Sequence, residues 1–159
     1  MLSTRSLHRR TLLAATFLLP LAGISAPLQR PLVEVWKSPT CGCCKDWVAH
    51  IEANGYETKI NEVSESVKSA KRLALGMPEK WGSCHTALVQ GYVLEGHVPA
   101  REIRRLLKER PNALGLAVPG MPVGSPGMDG PAYGGRQDVY AVLLTQRNGT
   151  STVFQNYPS

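Results

Sequence analysis

Three of the chain's four cysteines fall within Cys41-Gly42-Cys43-Cys44, and the fourth, Cys84, stands directly before His85. Thiolates are soft donors that select Cu(I), and Cu(I) accepts two or three sulfurs, so closely spaced thiolates can bridge several ions. Three adjacent cysteines, joined by one that the fold brings in, suit such bridging better than one tetrahedral ion. Structural zinc usually draws on two separated C-x-x-C knuckles, whereas here the fourth thiol stands alone. Two other readings stay open at this point. Cys41 and Cys44 have the C-x-x-C spacing of a thiol-disulfide oxidoreductase, although Cys43 offers a competing thiol. An even cysteine count also fits structural disulfides in an oxidising compartment, but pairs packed into four residues close almost no loop and stabilise little by chain entropy.

Weaker donors accompany the cysteines. His85 is either a ligand or a loop histidine bonded to backbone. Met121 and Met128 could bring thioethers over the cluster, although methionine more often fills apolar gaps. His50 and His97 lie on or beside regular elements and are expected at the surface or satisfied locally. Trp36, Trp47 and Trp81 flank the cysteines in sequence and are expected to pack around them, keeping water and oxidants away. No hydrolase arrangement is visible: Ser38 and Ser83 have no base partner, and no glycine motif cradles a phosphate.

The elements that must position these residues follow from periodicity. Leu32 to Trp36 is short, apolar and β-branched, and predicts a buried strand. Thr40 is placed to cap a helix starting near Cys41, in which Cys44, Trp47, Val48 and Ile51 form one apolar face and Gly55 closes the end. A helix start of this kind favours thiolates through its free amides and macrodipole. A second strand is expected over Glu57 to Val63. Ser64 then opens a second helix with Val67, Ala70 and Ala74 turned inward, ended by Gly76 and Pro78. Thr86 to Gln90 and Tyr92 to His97 predict a hairpin around Gly91. A third helix follows Pro99, with Ala100, Ile103, Leu106 and Leu107 as its stripe. The order β-α-β-α-β-β-α predicts a mixed sheet with helices on its faces.

Pro111 to Arg136 holds five prolines and seven glycines in 26 positions, a density at which no regular element is expected. Its apolar members Leu114, Leu116, Val118, Met121 and Val123 predict a loop laid over the body and covering the site. Val139 to Thr145 and Thr152 to Gln155 predict a closing hairpin turned at Asn148-Gly149.

The first 25 residues read as an export signal. Arg5, Arg9 and Arg10 precede an apolar run from Thr11 to Leu21, which is too short to span a bilayer, and small residues follow. A cut after Ser25 is favoured, because Pro27 hinders cleavage after Ala26. The Arg9-Arg10 pair also permits the twin-arginine route. A single domain over residues 26–159 is expected, without a membrane segment once the signal is gone. Three of the 18 basic residues leave with the signal, so 15 face 12 acidic ones, a balance too mild to argue for nucleic acid.

Val33-Glu34-Val35-Trp36-Lys37-Ser38-Pro39-Thr40-Cys41-Gly42-Cys43-Cys44, with Trp81-Gly82-Ser83-Cys84-His85-Thr86-Ala87 and Gly115-Leu116-Ala117-Val118-Pro119-Gly120-Met121-Pro122, resembles the CopG-type family of periplasmic, thioredoxin-like metal-binding proteins. The resemblance runs from about Leu32 to Tyr157. It implies a thioredoxin-like (glutaredoxin-like) core carrying the long Gly/Pro-rich loop and the closing hairpin. It also implies Cu(I) bound by Cys41, Cys43, Cys44 and Cys84 as a multinuclear centre. The implied role is copper tolerance in the periplasm, with copper redox conversion and other copper-resistance proteins as partners. Ordinary thioredoxins place a proline opposite the active-site cysteines; here the corresponding stretch is Ser83-Cys84-His85-Thr86, with a fourth sulfur where a substrate peptide would dock. The alternative that remains is an exported oxidoreductase using Cys41 and Cys44.

Overall fold

A computed structural model describes residues 29–158, so the expected export signal lies outside the described residues. The elements run β1 (Leu32–Lys37), α1 (Gly42–Ala53), β2 (Glu57–Glu62), α2 (Glu65–Ala74), β3 (His85–Val89), β4 (Tyr92–Glu95), α3 (Ala100–Glu109), β5 (Gly115–Ala117), β6 (Tyr140–Thr145) and β7 (Ser151–Tyr157). Short 3-10 turns cover Glu79–Trp81 and Pro131–Tyr133. The strands form one seven-stranded mixed sheet in the order β2-β1-β3-β4-β5-β6-β7. β1 runs parallel to β2 and antiparallel to β3, so the ends of β1 and β3 that carry the chemistry lie side by side, with Lys37 opposite His85.

Side chains alternate across this sheet, and the two faces collect different partners. Val33, Val35, Ala87, Leu94 and Leu116 face α1 and α3, whose Trp47, Ile51, Ile103 and Leu106 are fully buried against them. Burial of each of these large side chains contributes about 2 kcal/mol relative to exposure. The intervening positions face α2: Val93 and Ala117 pack with Met77 and Leu114, and Lys71 lies over the Trp36 ring. The expected stripes of α1 and α3 are the observed ones, with Leu107 only partly buried.

Three expectations need correction. Thr40 does not cap α1: the N-cap is Cys41, without a side-chain cap, and the Thr40 hydroxyl pairs with Ser38 instead. α2 does start after Ser64, whose hydroxyl accepts from the Val67 amide, but it is turned the other way. Val67, Ala70 and Ala74 are exposed, and the buried residues are Lys68 and Arg72. The helix is rotated because both cations find partners inside. Lys68 Nζ donates to the Ser83 and Cys84 carbonyls at 3.2 and 3.1 Å, and Arg72 pairs with buried Glu95.

The Gly/Pro-rich stretch is also not free of structure. Gly115–Ala117 forms β5 between β4 and β6, which makes the closing hairpin a continuation of the main sheet. Gly115 lies against the Val93 backbone where a β-carbon would have no room. A residue that reads as a breaker therefore permits the strand. Among the described residues no helix is long and apolar enough to cross a membrane.

Candidate metal centre

The centre is built where the start of α1 meets the start of β3. Cys41 caps α1, and Cys43 and Cys44 occupy its first turn. Cys84 precedes β3, its carbonyl fixed by Lys68. The four sulfurs lie within 4.8 Å of one another. Cys43 Sγ is 3.5 Å from Cys41 Sγ and 4.0 Å from Cys84 Sγ, while Cys44 is fully buried with its sulfur 3.6 Å from the Cys84 carbonyl oxygen. In this structure Cys41 and Cys44 form a disulfide, and Cys43 and Cys84 are free thiols. Two-electron reduction turns the same sulfurs into four converging soft donors, a set suited to Cu(I) and other thiophilic ions.

Cys84 also belongs to a second donor set. Its sulfur is 3.4 Å from His85 Nδ1 and 2.9 Å from His97 Nε2, and the three donors fit within the same 4.8 Å limit. Both histidines are completely buried. The tautomer of His97 follows from its neighbours. The Ser125 hydroxyl donates to the Pro122 carbonyl at 2.6 Å, so it accepts from His97 Nδ1–H at 3.5 Å. That leaves the Nε2 lone pair directed at Cys84, oriented as a ligand would be. His85 packs between Trp47 and His97, with ring centroids at 4.2 and 5.3 Å. Its Nε2 is buried without a hydrogen-bond partner among the described residues.

Burial sets the charge state. Desolvation, helped by the neighbouring Cys43, pushes the Cys84 thiol up to about 12. The same loss of water holds His97 down to about 4 and His85 well below the ordinary histidine value. Without a metal, the three groups are neutral near pH 7.

His97 is not at the surface but buried, with both ring nitrogens partnered, and it is the nearest side-chain donor to Cys84. The sequence carried one signal of this, its position just past β4, two residues beyond the buried Glu95. His50 is satisfied as expected, accepting the Ala100 amide at 3.1 Å, and Trp47 packs beside the site, donating to the Val98 carbonyl. The loop does lie against the centre. A β-carbon on Gly127 would stand 2.6 Å from the Cys43 carbonyl oxygen and 2.7 Å from the Trp47 amide. Ser83 and Gly120 form a parallel bridge. Met128 is nearly buried, with its sulfur accepting from the Tyr133 hydroxyl at 3.1 Å, whereas Met121 is 53% exposed.

A partly buried group of four cysteines, one of which it shares with two buried histidines, gives this mixed α/β protein a donor set capable of holding a metal ion. Two solved structures narrow it, both described as copper resistance protein CopG. Form 1 is 44% identical with a TM-score of 0.75, form 2 is 45% identical with a TM-score of 0.73, and each match covers 82% of this chain and 100% of the other. The chain belongs to the CopG family. A family profile described as "Protein of unknown function, DUF411" matches residues 81–128, the stretch from Trp81 through Cys84 and His97 to Met128. No curated protein sequence matches the chain.

Proposed function

We propose that this protein holds Cu(I) in a multinuclear thiolate cluster formed by Cys41, Cys43, Cys44 and Cys84, and serves copper resistance in the periplasm. The observation that carries the proposal is the convergence of four sulfurs within 4.8 Å at the mouth of α1. The names of the related solved structures support copper as the ion. Copper is here the cargo, exchanged with other copper-resistance proteins of the same compartment. Export rests on the basic and apolar pattern of the first 25 residues alone. The β1-α1-β2-α2-β3-β4-α3 order, with the cysteines directly after β1, supports a thioredoxin-like reading of the core.

Thiolates favour Cu(I), and imidazoles also suit Cu(II). With His85 and His97 beside Cys84, the site offers donors to both oxidation states, which supports a role in copper redox conversion. X-ray absorption of the copper-loaded protein tests the ligand set. A first shell dominated by sulfur is expected for the Cu(I) form; a shell of nitrogen and oxygen contradicts the proposal.

The Cys41–Cys44 disulfide favours a second reading, thiol-disulfide exchange with exported proteins. Against it stands Cys84, a fourth sulfur held within 4.8 Å of that pair. Exchange by Cys41 and Cys44 that persists unchanged in Cys84→Ser, in a protein that takes up no copper, favours this second reading.

A further inference from the structure

The cluster is closed on most sides. Cys44 is fully buried, and the Cys84 sulfur is covered by His85 and His97 on the sheet side. The open side is a cleft of about 470 Å³ between α2, the Glu79–Trp81 turn and the Gly120 segment, and its walls include Cys41 and Cys84. Its two cations are already neutralised: Lys68 pairs with Glu65 at 2.7 Å, and Arg72 pairs with Glu79 and Glu95. A positively charged ion therefore meets no unpaired cation among the described residues that line the cleft.

Met121 stands in the wall of this cleft and also lines the neighbouring groove of about 500 Å³ beside Val139 and Tyr140. It is 53% exposed. Its backbone is nevertheless clamped. Gly120, in the left-handed region at φ +71, bridges Ser83, whose hydroxyl donates to the Gly120 carbonyl. An exposed methionine is thus carried on backbone anchored to the residue that precedes Cys84. Thioethers bind Cu(I) and discriminate against hard, hydrated divalent ions.

Building on the copper reading above, we propose that Met121 is a gateway ligand that takes Cu(I) from its carrier at the cleft mouth and passes it to Cys84 and Cys41. In the reduced protein, with Cys41 and Cys44 as thiols, the transfer is ligand exchange without electron transfer. The carrier–copper bond breaks as the Met121 Sδ–copper bond forms. That bond then breaks as copper binds a cysteine sulfur, and the thiol proton leaves to water. Met121 is not a resident ligand, so its loss changes the rate of loading and leaves the amount unchanged.

The test is stopped-flow transfer of Cu(I) from its coloured bicinchoninate complex to the reduced protein, wild type beside Met121→Leu. Leucine keeps the bulk and apolarity of an exposed side chain and removes only the donor. Loading slowed about five-fold or more, with the same final copper per chain, is expected from loss of the soft donor. Equal rates at full loading overturn the inference alone. Reduced copper per chain in the variant also overturns it, by making Met121 a resident ligand. A wild type that takes no Cu(I) overturns the copper reading and this inference together.

Discussion

Cys84 Sγ lies 2.9 Å from His97 Nε2, with the histidine fully buried and its other nitrogen turned to Ser125. The pair is held neutral, since burial raises the thiol to about 12 and lowers the imidazole to about 4. A raised thiol pKa means less thiolate at neutral pH and slower reaction with electrophiles.

In the protein carrying the Cys41–Cys44 disulfide, iodoacetamide at pH 7.5 should therefore alkylate Cys43 first, with Cys84 slower by about ten-fold or more. Peptide mapping by mass spectrometry reads the two rates. Equal labelling would contradict a buried, neutral Cys84.

The loop that packs over the cysteines depends on Gly127, at φ +87 and against the first turn of α1. Gly127→Ala should cost about 1–3 kcal/mol, from both the backbone conformation and the contact with Cys43 and Trp47. Urea unfolding measures the cost. Loss of Cu(I) to a competing chelator should also become faster as the loop is displaced; unchanged stability and unchanged copper retention would show that the loop does not seal the site.

Glu95 is the polar hub under the metal centre. Its carboxylate accepts from the Ser83 amide at 2.7 Å, the Thr86 hydroxyl at 2.6 Å and the Arg72 guanidinium at 3.4 Å. Glu95→Ala leaves the buried Arg72 charge without its internal partner and should destabilise the fold by about 3–5 kcal/mol. A cost below about 1 kcal/mol in urea unfolding would mean that Glu79 alone suffices for Arg72.

The legible parts of the fold were those written in apolar periodicity. Cys44, Trp47, Val48 and Ile51 on α1, and Ala100, Ile103 and Leu106 on α3, are buried as their spacing predicts. α2 was misjudged because hydrophobic spacing carries no information about Lys68 and Arg72, which are buried for their partners rather than for their hydrophobicity. β5 was missed because its stability comes from pairing with β4 and β6, strands that lie about 20 or more residues away in sequence and are invisible to a local reading. The four cysteines are grouped as expected. His97 was not foreseen, since its approach to Cys84 depends on the β3–β4 pairing across 13 residues.

The proposed copper function requires the four cysteines to act as one site. The most direct measurement is copper per chain after anaerobic reduction and loading with Cu(I), wild type beside Cys84→Ser. Several coppers per chain in the wild type, falling sharply in the variant, is the predicted result, because Cys84 supplies the sulfur that faces Cys43 and links the α1 thiols to the histidine side. No stable copper in the wild type, or a full complement retained without Cys84, would contradict it.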